Sequence, residues 1–197
     1  MPVLNNNSPL AALRADFLAT STQSMPIAGI IFWAVVAVAG LMLPPRALAY
    51  LVGFGSGAIF PLAIAIDKLR GRTLIRSNRS NPVLGMFLQS LATVGLLWPL
   101  VLIAAFRAND PTLVVLGGAI LMAIVWIPYG WAADDPAGLH HAVARSVLCY
   151  AAFLFAPARY VSTAVACIVL LCYAYSLMRM RRPEPVYAAP NGPQNSR

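Results

Sequence analysis

The sequence predicts an all-α integral membrane protein with six transmembrane helices, and two features of its composition and patterning carry that prediction. Of its 197 residues, 60% are hydrophobic and only 10% are charged, whereas soluble domains are roughly half apolar and a quarter charged. The apolar residues also form long runs of about 20 residues, the length that crosses the hydrocarbon core of a bilayer. The expected solvent of this chain is therefore lipid.

Six apolar segments follow a more polar N-terminal stretch. Their predicted limits are 26–43, 47–66, 83–106, 113–133, 142–156 and 160–178. The fifth is short and carries Arg145 near its start, so we expect it to tilt, to be anchored by snorkelling, or to extend back toward Leu139. Long unbroken runs are unlike the alternating pattern of barrel strands. We predict three regions: an N-terminal segment (1–25), a transmembrane domain (26–178), and a basic, then polar and disordered tail (179–197).

The N-terminal segment predicts a short helix rather than a signal peptide. No basic stretch precedes an apolar one there, as a signal peptide requires. Leu10, Leu13 and Phe17 instead fall on one face at helical spacing. Such a helix is expected to lie in the membrane interface.

Basic residues set the predicted orientation. The net charge is +8, and all but three of the 14 basic side chains fall on the side of the N-terminus; the exceptions are Arg46, Arg107 and Arg159. The positive-inside rule then places both termini in the cytoplasm and explains the charge without nucleic acid as a partner. Nearly all basic residues are Arg in an Ala-rich chain, which is typical of GC-rich bacteria, so we expect a bacterial plasma membrane.

The longest loop lies between the second and third segments and is strongly basic. It holds Lys68, Arg70, Arg72, Arg76 and Arg79. Its favoured role is to set topology, while binding of anionic headgroups is the alternative. The lipid bilayer is thus the first predicted partner.

The stretch GFGSGAIFPL resembles a dinucleotide-binding loop only in its glycines. An apolar run and a basic loop follow it, without the acidic residue that this motif places about 20 residues on. Within a transmembrane helix, Gly53, Ser56 and Gly57 instead form a small-residue patch that admits a neighbouring helix. Pro61 lies four residues after Gly57, so a kink is expected there.

The pattern of a glycine four residues before a proline recurs in the third segment. GAIFPLAI and GLLWPLVL share the order Gly, two apolar residues, aromatic, Pro, Leu, so Gly95 and Pro99 repeat the pattern. We favour convergence on a kinked, tightly packed helix, with an inverted repeat as the alternative. A third kink is predicted at Pro128 in WIPYGW. If these kinks face each other, they would enclose a cavity lined by freed carbonyl groups.

Polar groups within the segments are few. Gln89, Ser90 and Thr93 on the third helix are the candidates to line such a cavity, and Arg145 is the candidate buried charge. No carboxylate falls near the middle of a segment, which disfavours proton- or sodium-coupled transport.

The densest cluster of reactive groups is DDPAGLHH, which holds Asp134, Asp135, His140 and His141. These are candidate metal ligands, but Asp135 followed by Pro136 is also a helix-opening pair, and adjacent histidines point apart on a helix. We favour the structural role and predict no metal and no cofactor. The three cysteines lie in apolar runs without a metal or disulfide pattern.

Three of these stretches together resemble a known family. GAIFPLAI with the basic loop after it, NPVLGM opening the third segment, and WIPYGW in the fourth are similar to the pattern of small bacterial polytopic membrane proteins with domain of unknown function 7010. The resemblance extends over residues 26–178. It implies a polytopic membrane topology and no known reaction, cofactor or catalytic residue.

The favoured function is non-enzymatic. We expect a membrane protein that packs with itself or with a membrane partner, because small residues and proline kinks that favour helix packing are plentiful and reactive groups are scarce. The alternative is a small permease or channel for a neutral or amphipathic solute, with a cavity at Pro61, Pro99 and Pro128. A membrane enzyme that uses the Asp and His cluster is the third hypothesis.

Overall fold

A computed structural model describes residues 8–20, 23–71 and 81–181, and every regular element in these residues is helical. The α-helices are α1 (Leu10–Thr20), α2 (Ser24–Met42), α3 (Pro45–Gly55), α4 (Ile59–Leu69), α5 (Pro82–Ala108), α6 (Thr112–Ile124), α7 (Trp126–Ala133), α8 (Ala137–Phe155) and α9 (Val161–Arg179). Short 3₁₀ turns cover Ser56–Ala58 and Ala158–Tyr160. The predicted all-helical class is confirmed.

Six stretches in the described part of the chain are long and apolar enough to cross a membrane. They are Ser24–Met42, Pro45–Leu69, Pro82–Ala108, Thr112–Ala133, Ala137–Phe155 and Ala158–Arg179. The predicted number of spans is therefore confirmed. The fifth begins at Ala137, before Leu139, which agrees with the predicted extension of this segment toward the N-terminus.

Two of the spans are interrupted close to a proline. The 3₁₀ turn Ser56–Ala58 separates α3 from α4, and Pro61 is the third residue of α4. Val125 likewise separates α6 from α7, in which Pro128 is the third residue. Proline has no N–H to bond the carbonyl four residues earlier, which weakens the helix there. Pro99, by contrast, lies inside the unbroken helix α5.

The main apolar core lies where α2, α6, α8 and α9 meet. In the most apolar 18-residue window of the α6–α7 span, half of the residues are buried inside the protein, whereas none is buried in the corresponding window of α5. Helix α5 is thus peripheral, and its central part contacts the bundle only through one side.

Close approach of α7 and α8 requires two glycines. A Cβ added at Gly130 would lie 2.9 Å from the Cα of Gly138, and one added at Gly138 would collide with the carbonyl oxygen of Trp126. Since any side chain would push these helices apart, glycine at both positions allows the contact. The contact also brings Trp126 against His141, whose rings stack with centroids 4.1 Å apart.

Helix α1 packs on the bundle through two of the three residues predicted to share its apolar face. Leu13 and Phe17 are buried in a small second core against α5 and α7, while Leu10 is exposed. The side chain of Asn81 donates to the carbonyl oxygen of Leu13 over 2.9 Å. A side chain just before α5 therefore ties α1 in place.

Candidate functional site

A polar centre lies inside the bundle, between α8 and α9. Arg145, His141 and Ser176 are each 0% exposed, although all three belong to helices that can cross a membrane. Arg145 lies about 12 Å along α8 from its first residue, at 1.5 Å per residue. Ionisable residues inside a membrane are costly and usually functional, so this centre is the first candidate site.

Hydrogen bonds order the three side chains. The Oγ of Ser176 lies 2.6 Å from Nδ1 of His141, and Nη1 of Arg145 lies 3.5 Å from Nε2 of the same imidazole. A guanidinium group can only donate, so Nε2 is the accepting nitrogen and Nδ1 carries the proton. His141 therefore donates to Ser176 and accepts from Arg145.

Aromatic rings surround the cation. The Cζ of Arg145 lies 5.4 Å from the ring centroids of both Trp33 on α2 and Tyr173 on α9. A desolvated cation over an aromatic face is stabilised by about 2 kcal/mol. These rings offset part of the cost of burying the charge, but they accept no conventional hydrogen bond.

Three buried donors in this centre have no acceptor among the described residues. They are Nε and Nη2 of Arg145 and Nε1 of Trp33. Leaving a buried donor unpaired costs about 1–3 kcal/mol, and more for a charged group. The ion pairs in the described part of the chain do not include Arg145. The centre therefore has an excess of donors and an uncompensated positive charge.

A second buried polar contact joins the first turn of α2 to the last turn of α4. The Ser24 hydroxyl donates to the carboxylate of Asp67, and both residues are 1% exposed. The sequence placed Asp67 at the end of a span without indicating its burial. The contact ties these two helix ends together.

The predicted cluster of two aspartates and two histidines does not converge. Asp134 pairs with Arg14 at 2.8 Å and with Arg181 at 3.7 Å, whereas Asp135 accepts from the backbone N–H of Ala137 at 2.9 Å. His140 is exposed and its Nδ1 lies 3.4 Å from the hydroxyl oxygen of Tyr175, whereas His141 is buried. Among the described residues no group of three or more His, Cys, Asp or Glu could hold a metal ion.

The predicted packing glycines differ in their surroundings. The carbonyl oxygen of Gly53 accepts a hydrogen bond from Nε1 of Trp98 on α5, at 3.1 Å. A Cβ at Gly57 or Gly95 would meet nothing within 4 Å, so no helix of the described residues packs closely against either position. Ser56 is half-buried.

Other glycines make the close contacts between α5 and α6. A Cβ at Gly117 would collide with Val101, and one at Gly118 would lie 2.8 Å from Trp98. In the sequence, two adjacent glycines inside an apolar run indicate close helix packing, but they do not identify the helix that packs there.

The predicted cavity residues lie toward the outside. Pro61 and Pro99 are both exposed, and Pro128 is half-buried. Gln89 and Thr93 are exposed on α5 and Ser90 is half-buried. A solute cavity at these residues stays a prediction.

The outward side of α5 forms a regular stripe. We define the outer stripe of α5 as Gly85, Gln89, Ala92, Leu96 and Ile103, whose spacing of three, four or seven residues places them on one helical face. Leu96 and Ile103 are 79% and 59% exposed. The residues on the opposite face, Leu84, Phe87, Val94, Trp98, Val101 and Ala105, are partly or fully buried.

Hydroxyl groups near the stripe bond within their own helix, but the Gln89 amide does not. Ser90 donates to the carbonyl oxygen of Phe87 at 2.6 Å, and Thr93 to that of Gln89 at 3.2 Å. Gln89 lies about 10 Å along α5 from its start. Its side-chain amide makes no hydrogen bond within the described part of the chain.

Six candidate spans with a polar centre closed off from solvent define a polytopic α-helical membrane protein. The model of a family of unknown function, DUF7010, matches residues 10–181, and the chain belongs to that family. The match confirms the resemblance drawn from GAIFPLAI, NPVLGM and WIPYGW. The chain matches no curated protein and no solved structure.

Proposed function

We propose that this protein is a non-enzymatic multi-pass membrane protein that self-associates through the outer stripe of α5. The observation that carries the proposal is the Gln89 amide, which is exposed on a peripheral span and makes no hydrogen bond within the described residues. Hydrocarbon offers no partner to an amide, so such side chains hold membrane helices together by bonding across them.

A second copy of the same chain suits this stripe. An amide carries both donors and an acceptor, so two Gln89 side chains can pair with each other. Copies inserted in the same orientation have parallel α5 helices, which places the two amides at the same depth in a two-fold interface. Gly85 and Ala92 flank Gln89 on the stripe, and small residues there let two helix backbones approach closely.

The test replaces the amide. Gln89→Leu is expected to weaken dimerisation in lipid vesicles roughly fivefold to tenfold, because an interhelical hydrogen bond in a membrane contributes about 1 kcal/mol. The measurement is energy transfer between labelled copies as the protein-to-lipid ratio falls.

Two variants control that measurement. Gln89→Asn keeps an amide and is expected to retain much of the dimer. Leu171→Ala changes a residue of α9 that is 69% exposed and should leave association unchanged. A native-like dissociation constant in Gln89→Leu, or a monomeric native protein, would refute the proposal.

We further propose that both termini are cytoplasmic and that the membrane is a bacterial plasma membrane. The distribution of basic residues supports this orientation. Helix α1 then lies at the cytoplasmic interface, held through Leu13 and Phe17 and by the pair of Arg14 with Asp134. Lys68 and Arg70 are exposed on the same side, near anionic headgroups. Arg72, Arg76 and Arg79 lie outside the described residues.

Orientation can be measured with single cysteines in a background whose native cysteines are replaced. An impermeant maleimide added to intact cells should label Ala108→Cys, at the end of α5. It should label Arg70→Cys only after permeabilisation, because that residue follows α4 on the cytoplasmic side. The reverse pattern would overturn the proposed topology.

A further inference from the structure

We propose that Arg145 of α8 and Trp33 of α2 form a buried binding site for a small monovalent anion of the size of chloride or formate. Within the part of the chain that the structure describes, Nε and Nη2 of Arg145 and Nε1 of Trp33 are buried donors without an acceptor. The guanidinium lies over the face of the Trp33 ring, with Cζ 5.4 Å from the ring centroid. The unmatched donors therefore belong to one locality.

The acceptors of this centre are already engaged. His141 and Ser176 bond to each other, and the remaining imidazole nitrogen faces Nη1 of Arg145. No carboxylate of the described residues pairs with the guanidinium. A water molecule accepts hydrogen bonds but leaves the charge uncompensated, whereas an anion supplies both an acceptor and the opposite charge.

Charge and enclosure define the class of anion. One guanidinium carries one positive charge, so a monovalent anion neutralises the centre, while a divalent one would leave a buried negative charge. Arg145, Trp33 and His141 are all 0% exposed. A large anion or a lipid phosphate with its glycerol attached does not fit a centre enclosed on all sides by side chains.

The test is a titration of the full-length protein in lipid nanodiscs. Sodium chloride replaces sodium gluconate at constant ionic strength, and thermal unfolding is followed by tryptophan emission. We expect chloride and formate to raise the Tm with saturation, because a ligand that binds only the folded state stabilises it. Gluconate, which is too large for the site, should have no such effect.

Variants assign the effect to these donors. Trp33→Phe keeps an aromatic ring but removes one donor, and it should weaken chloride binding roughly tenfold. Arg145→Met removes the charge while filling similar volume, and it should abolish the chloride dependence of Tm. Arg159→Met is the matched control, since Arg159 is exposed and lies over Tyr160 at the other end of the bundle.

Two results would overturn the proposed anion site. Equal Tm values in chloride and gluconate for the native protein would overturn the proposal, as expected if the centre holds only water. An unchanged chloride response in Trp33→Phe would also overturn it, even if Arg145→Met does not fold. Loss of dimerisation in Gln89→Leu has no bearing on this titration, because the two sites lie on different helices.

Discussion

The outer stripe of α5 and the centre around Arg145 place polar groups in membrane spans in opposite ways. The stripe exposes a neutral amide on a peripheral helix, whereas the centre buries a cation and an imidazole among α2, α8 and α9. A neutral amide in lipid can be satisfied by another chain. A buried charge must be compensated inside the bundle. The two proposals therefore differ in the partner they require, which is a second chain for the exposed amide and a small ligand for the buried charge.

The two regions also differ in how firmly the chain holds them. His141 contacts Trp126, Tyr173 and Ser176, which come from two other helices. Along the middle of α5, Trp98 bonds to the carbonyl oxygen of Gly53 and Val101 lies close to Gly117. Substitutions should therefore destabilise the fold when they fall near the centre and act mainly on association when they fall on the stripe.

Glycine-to-alanine substitutions give the largest expected contrast. Gly138→Ala should lower the free energy of unfolding by about 3 kcal/mol, because the new methyl group overlaps backbone atoms of α7 that cannot move independently. Gly95→Ala adds its methyl group to open space. It should change stability by no more than about 1 kcal/mol, in the stabilising direction, since alanine favours helix.

Both glycine variants can be compared by unfolding in mixed micelles with increasing denaturing detergent. Equal losses of stability would mean that the contact of α7 with α8 does not depend on glycine. A loss of stability in Gly95→Ala alone would mean that another helix packs against the outside of α5. Association would then have to be measured in the same variant.

The spans were predictable because their physical signal is local. A run of about 20 apolar residues has few alternatives to a membrane helix, so all six were found from the sequence. The interruptions next to Pro61 and Pro128 were predictable for the same reason, since a missing N–H acts within one helical turn. Pro99 shows the limit of this reasoning, because α5 continues through it.

The buried centre was predictable only in part. Arg145 stood out as the one basic residue inside a predicted span, but its partners depend on tertiary packing. Trp33 lies more than a hundred residues earlier in the chain, and no local pattern links the two. Nor could the sequence separate His140 from His141, because the assignment depends on which face of α8 meets α7. Likewise, Gly57 and Gly118 look alike in sequence, and only Gly118 contacts another helix closely.

Two hydroxyl groups provide a finer comparison of the same regions. Ser176→Ala should lower the free energy of unfolding by about 1–2 kcal/mol, because it leaves the buried Nδ1–H of His141 without its acceptor. Thr93→Val removes a hydroxyl that bonds only to its own helix, at an exposed position. Its effect on stability should stay within about 0.5 kcal/mol.

The same detergent titration measures both hydroxyl variants, and Ser176→Thr tests whether the hydroxyl itself matters. If Ser176→Ala is as stable as the native protein, the imidazole does not depend on the Ser176 hydroxyl, and the hydrogen-bonded order of the centre would be wrong.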